Sequence, residues 1–475
     1  MKKKIFTAKT KKKIRKSLIP GATLLSLFLA LYMVYVSPTR KDIQDIKNLV
    51  GTHSGRIQES SPIWIPEGNI KIDKAGIDKL EKDIKKVESS VFFSLSSQTY
   101  LDIAVFYFDH PNFTKALEYV DKSIKKDPRN SKSLMLRSIL KFYAGSLPAA
   151  LSDINVVIEV NPDGKIRASA QIVKGYISLL SGDLQTSKDS FVKAADFFSF
   201  PGESKVLLLF SCYLLSSACF DLGEYDTGDY YFSIVKEVSK QLESAEEKDT
   251  LAVIMLALAN TEDDLKSILD NYDKLVKLSD DNVFLELIIY LYKASISFND
   301  FEAFSSYLES AIQFSKKYEI TFLQQLFTEL LFESWLDDKK SFRKDLWEEI
   351  AASPAKIPTL EADMYYAAGK FYQEQKDNES ALKYLNIALE LYAFFGKKRE
   401  IIDTKVNIYF AQSGLKDYYS STKMLRSALD DINWLLRYNT RGSYVSKRAK
   451  KEIGLLRTHK EGIENLLPIM DKLLR

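Results

Sequence analysis

Asn112-Phe113-Thr114-Lys115-Ala116-Leu117-Glu118-Tyr119-Val120-Asp121-Lys122-Ser123 is matched, 34 residues on, by Ser146-Leu147-Pro148-Ala149-Ala150-Leu151-Ser152-Asp153-Ile154-Asn155-Val156-Val157. Each stretch runs into a proline pair, Asp127-Pro128 in the first and Asn161-Pro162 in the second. Ala116 and Ala150, Val120 and Ile154, and Ser123 and Val157 fall in the same register: a small residue, a bulky one four later, a small or β-branched one three after that. That spacing places all three on one helix face. A small residue on the face lets a second helix come close, and the proline ends the helix.

Working outward, the unit that begins at Ser97 carries Tyr100, Ala104, Tyr107, Ala116, Val120 and Pro128 at matching places. In these residues the chain resembles the tetratricopeptide repeat (TPR) family, whose 34-residue unit is a helix–turn–helix. The pattern recurs from Ala168 (Gly175, Gly182, Leu184, Phe191, Ala194) and from Leu209 (Gly223, Tyr225, Phe232, Val235). It recurs again from Leu285 (Phe301, Leu308, Ala311), from Ala362 (Tyr365, Gly369, Tyr372, Ala381, Leu385, Ala388) and from Ile402 (Tyr418, Leu425, Ala428). Helix pairs without a clear signature fill 246–279 and 320–352. The expected fold is all-α, a right-handed TPR-like α-solenoid of about nine helix pairs over 97–435. A final amphipathic helix from Ser446 to Leu474, within a basic segment 436–475, is expected to cap its apolar end.

Composition agrees. The 475 residues are 46% hydrophobic and 28% charged, ample for a core, while 18 Gly and 12 Pro are too few for the turns of an all-β chain. Two Cys and three His exclude a disulfide framework and leave little for a metal cluster. Cys212 and Cys219, seven residues apart on one helix, are separated by about 10 Å along its axis and cannot bridge, so they read as core.

Charge is unevenly spread. Residues 1–17 hold nine Lys and Arg and no acid, and 437–475 hold ten basic against four acidic residues; the 48 basic and 60 acidic residues between them leave a balance of −12. A body of that sign argues against nucleic acid as the main partner. Between Lys16 and Arg40 run 23 residues without a charge, long enough to cross a bilayer. We read 1–17 as a cytoplasmic tail, 18–39 as a transmembrane helix, 40–75 as a tether and 76–96 as a leading helix. The end of the apolar run, Met33-Val34-Tyr35-Val36-Ser37-Pro38, offers no small-x-small cleavage site. The positive-inside rule then sets the repeats on the far, periplasmic side of a bacterial inner membrane.

Catalysis is not expected. His53, His110 and His459 lie on three separate elements, and Gly223-Glu224-Tyr225-Asp226-Thr227-Gly228 lacks the Lys-Ser/Thr of a phosphate loop. No cofactor, metal or small-molecule substrate is indicated. The family resemblance instead implies that first-helix residues line a concave face for partner proteins. Here these are Leu101, Val105, Phe108, Met135, Ile139, Phe142, Ile172, Tyr176, Leu179, Tyr213 and Phe220, an apolar set suited to an apolar helix or strand. The competing reading is that tight superhelical winding, or the N-terminal segment, covers them. Later units are more polar there, with Asp363, Tyr366, Lys370 and Gln373, then Asp403, Val406, Phe410 and Ser413. The lysine–asparagine clamp of chaperone-binding members is not reproduced, its first places being Leu101 and Val105. A second candidate surface is the basic patch Arg441, Lys447, Arg448, Lys450, Lys451 and Arg457, for an acidic partner, lipid or a second copy. The layout is similar to that of spirochaete membrane-bound repeat proteins of the flagellar-motor collar, which implies a non-catalytic scaffold. The alternative is a periplasmic accessory of secretion or outer-membrane assembly that binds client chains.

Overall fold

The computed structural model describes residues 95–109, 112–160, 163–239, 241, 300–337, 343–352, 357–439 and 447–474, together with Glu81, Tyr290, Lys293, Ala294 and Ser297. Among the described residues there are sixteen helices and no strand. The first eight form four hairpins: α1 (Ser97–Asp109) with α2 (Phe113–Lys126), α3 (Ser131–Tyr143) with α4 (Leu147–Val160), α5 (Gly164–Leu180) with α6 (Leu184–Phe198), and α7 (Lys205–Asp221) with α8 (Tyr225–Ser239). After α9 (Phe301–Lys317) come α10 (Thr321–Asp337) with the short α11 (Lys344–Ala352), α12 (Pro358–Glu374) with α13 (Asn378–Phe395), and α14 (Lys398–Gly414) with α15 (Tyr418–Tyr438). The last helix is α16 (Lys447–Leu473).

Seven complete pairs are thus seen among the described residues. Of the nine expected, the unit at 246–279 and most of the first helix paired with α9 lie outside them. The expected tail, membrane span and tether, 1–75, also lie outside, as does nearly all of the leading helix. No described helix is long and apolar enough to cross a membrane.

Local chemistry sets the helix starts. Side chains of Asn112, Asn130, Asp163, Asp183, Ser204, Asp300, Asp377 and Asp417 each accept a backbone N–H of the first turn of the helix that follows. Within hairpins the small residues do what their register implies. Ala104, Ala116, Ala150, Ala194, Ala381 and Ala428 are fully buried. At Gly175 a Cβ would sit 2.7 Å from the Phe191 ring, and at Gly369 one would sit 2.6 Å from Leu385 Cγ. The Asp153 carboxylate, buried on α4, is held by Arg137 through Nε at 2.8 Å and Nη2 at 2.6 Å, and by Lys141 Nζ at 2.8 Å. A buried charge of this kind needs such pairing to be tolerated.

The array closes on itself. The Phe142 ring of α3 lies 4.8 Å from Phe322 of α10, and Thr359 Oγ1 of α12 donates to the Leu180 carbonyl of α5 at 3.0 Å. The α5–α6 turn at Gly182 meets Phe395, and the α7–α8 turn at Gly223 meets Leu435 and Lys398. Asn439 completes the seam: its Nδ2 donates to the carbonyl of Gly223 at 2.8 Å, and its Oδ1 accepts the N–H of Tyr225 at 2.9 Å. Helix α8 therefore takes its first acceptor from a residue 214 positions downstream. One apolar core runs continuously from Leu95 to Ala367 across both halves. The expected cap is present as α16, whose Ile453, Leu456, Ile463 and Met470 are buried in a cluster with Leu425, Ile432 and Leu435 of α15.

Candidate protein-binding face

Of the eleven residues expected to line an apolar groove, nine are buried among the described residues. Leu101, Phe108, Met135, Ile139, Phe142, Ile172, Tyr176, Tyr213 and Phe220 are all buried, Leu101 at 1% exposure and Ile139 at 7%. Leu179 is half-buried, and the Val105 side chain lies outside the described residues. What covers them includes the chain itself: Phe322 on Phe142, and Arg448, whose guanidinium stands 4.3 Å above the Phe220 ring. Phe142 and Phe220 thus meet the chain's own second half, and the nine buried residues do not form an open apolar groove among the described residues. Asp at Ile139 or Tyr176 is accordingly expected to unfold the seam rather than to report on partner capture, since either leaves a buried carboxylate unpaired.

The inner face stays open where the sequence turns polar. On α12 and α14, Gln373 Nε2 donates to the Asn407 carbonyl at 3.2 Å, Asn407 Nδ2 donates to Tyr366 Oη at 3.0 Å, and Lys370 Nζ lies 5.9 Å from the Tyr366 ring. Beyond this network Phe410, Leu415 and Tyr419 are exposed, Tyr419 at 72%. Gln412 Oε1 and Ser413 Oγ are buried atoms without a hydrogen-bond partner. Partly exposed amides and the exposed Phe410 and Tyr419 rings, shared among three helices, are the kinds of group that hold an extended peptide: polar atoms for its backbone, rings for its side chains. The sequence marks these inner positions as polar, but the apolar set of the first units is the one expected to dock a partner. The signal was the reverse, since polar residues at inner positions mark what the chain leaves uncovered.

Deeper in, Lys397 sits between the halves. Burial pulls its pKa down, but Asp363, Asp221, Glu400 and Glu329 outweigh this and hold the amine protonated, well above the ordinary lysine range. Asp363 also accepts the Tyr392 hydroxyl at 2.5 Å. A lysine kept charged by four carboxylates has no free lone pair, so it serves the closure and not nucleophilic chemistry. Among the described residues, no group of His, Cys, Asp and Glu is placed to hold a metal.

The basic patch is divided. Arg441 and the Lys447 side chain lie outside the described residues, Arg448 is half-buried against Phe220, and Lys450, Lys451 and Arg457 face solvent on α16. Between them Glu452 is buried and paired with Arg399, while His459 Nδ1 is 3.7 Å from Asp403 Oδ1.

Cys212 and Cys219 are free and buried, and burial pushes both thiols up to about 12. Neither is expected to react with a thiol reagent at about pH 8 until the chain unfolds. Burial likewise raises the phenols of Tyr176 and Tyr366. Above about pH 9 the unfolded chain loses these protons while the folded chain keeps them, so stability falls as pH rises towards 12. Denaturant midpoints at about pH 8 and pH 10.5 should show the drop.

No family model and no curated protein matches the sequence. Solved structures do match. Yeast Tom70 is 13% identical with a TM-score of 0.36, over 92% of this chain and 99% of that one. The P58(IPK) TPR domain is 15% identical with a TM-score of 0.24, over 78% and 98%. A human IFIT1 dimer with m7Gppp-AAAA is 13% identical with a TM-score of 0.40, over 82% and 94%. With every TM-score at 0.40 or below, nothing about this chain is argued from these likenesses.

Proposed function

We propose that the chain is a non-catalytic helical-repeat scaffold that binds other proteins, held at a membrane through residues 18–39. The observation that carries the reading is the end of α14 and start of α15, where Phe410, Leu415 and Tyr419 are exposed beyond the Gln373–Asn407 hydrogen bond. Exposed rings rimmed by polar groups mark an interaction surface. The setting we propose is the periplasmic side of a bacterial inner membrane, in a multiprotein assembly of the kind that spirochaetes build as the flagellar-motor collar. The charge-free span and the basic tail before it support the membrane part; the repeat layout supports the assembly part.

The test is a photo-crosslinker placed in the native membrane at Phe410, at Tyr419 and, as a control on the far half, at Phe200, which is also exposed. One stoichiometric partner captured at Phe410 and Tyr419 but not at Phe200 is the expected result. Nothing captured at either site overturns the reading. Many clients captured alike at all three favours the alternative, an accessory that handles unfolded chains in secretion or outer-membrane assembly.

A further inference from the structure

The opposite edge of the last two hairpins has a different chemistry. The α13–α14 connection reads Phe394-Phe395-Gly396-Lys397-Lys398-Arg399, and from Ile432 to Lys451 six basic residues occur with no acid. Phe395 turns inward under Gly182, whereas its neighbour Phe394 is 82% exposed. Trp434 and Tyr438 stack at 5.2 Å with their planes 10° apart, at 50% and 55% exposure, and Lys398 Nζ stands 5.5 Å from the Trp434 ring. Arg437 is exposed between the two rings along the chain. The nearest exposed acids on these helices, Glu390 and Asp430, each lie one turn back from the edge. Helix α16 then begins with Lys447, Arg448, Lys450 and Lys451 and no acid in its first turn. That is the end of a helix where the backbone dipole favours anions and opposes cations.

We propose that this edge lies on the anionic headgroups of a bilayer, with Phe394, Trp434 and Tyr438 entering the interface and Lys398, Arg437 and the start of α16 against the phosphates. Tryptophan, tyrosine and basic residues are the types that settle at a membrane–water boundary. Charge complementarity selects the occupant: a body of balance −12 turns one cationic, aromatic edge outward. Nucleic acid would meet the same basic groups but offers no apolar layer for the exposed Phe394 to enter. The inference rests in part on the membrane setting proposed above. It adds that the folded body touches the membrane as well as the span.

The experiment follows Trp434 in the full chain, added to vesicles of phosphatidylcholine with phosphatidylglycerol, with or without bromine on the acyl chains. Subtracting the emission of Trp434→Phe isolates this residue from Trp64, Trp335 and Trp347. Bromine is expected to quench the Trp434 signal at least about twofold. A Lys398→Gln, Arg437→Gln double variant with an unchanged melting curve should lose most of that quenching, as should vesicles of phosphatidylcholine alone. Equal Trp434 emission in brominated and plain vesicles overturns the proposal. So does shielding from acrylamide that follows protein concentration or added oligonucleotide rather than lipid, which would assign the edge to a second copy or to nucleic acid. Release of the chain from vesicles by alkaline carbonate would separately refute the span at 18–39.

Discussion

Gly182→Ala lowers the stability of the whole array and swells it, and Gly202→Ala does much less. Both glycines have left-handed backbones, with φ of 83° and 90°, so both substitutions carry the same conformational penalty of about 1–2 kcal/mol. Only at Gly182 does the added Cβ overlap a neighbour, the Phe395 ring of the other half; at Gly202 nothing lies within 4 Å. Overpacking adds about 1–3 kcal/mol, giving a total of about 2–5 kcal/mol for Gly182→Ala. Denaturant unfolding measures the difference between the two variants, and small-angle scattering measures the larger radius of gyration of an opened seam. Equal effects in the two would mean that the halves do not press together at this turn.

Asn439→Leu is the second large effect. It removes the acceptor of the Tyr225 N–H and the donor to the Gly223 carbonyl, both in a buried seam. Two orphaned backbone groups cost about 2–6 kcal/mol. Hydrogen exchange should quicken at Tyr225 and through the first turn of α8, more than 200 residues from the substitution. Asn439→Asp keeps an acceptor but turns a buried carboxylate oxygen on the Gly223 and Leu435 carbonyls, and at neutral pH should be at least as destabilising as the leucine variant. A leucine variant that melts and exchanges like the parent would show that this bridge carries no load.

The hairpin was legible because it is a local property. Ala116 and Ala150, placed by register alone, are both fully buried against their partner helices, and the final helix begins and ends within a residue of its expected limits. Closure was not legible, because it depends on contacts between Phe142 and Phe322 or Gly223 and Asn439, pairs that no short-range spacing reveals. The same limit left two readings of the groove open, since Phe142 looks identical in sequence whether it awaits a partner or meets the chain's own second half.

One trace of closure was present in the turns. At four of the first-to-second helix turns the left-handed residue is Gly182 or Gly223, where the tip is pressed against the other half, but Lys376 or Lys416 where it faces solvent. All four have positive φ, from 63° to 83°. A lysine accepts that strain when its Cβ has room; glycine is required where it has none.

Asn439 also imposes an order on birth. Ribosomes add about 5–20 residues per second, so roughly 10–40 s pass between the emergence of Tyr225 and that of the side chain which caps it. For the first part of that interval, until α10 is made, the Phe142 ring lacks the Phe322 ring that will lie against it. The most vulnerable moment in the life of this molecule is therefore its synthesis, and whatever guards it then has only to wait for residue 439.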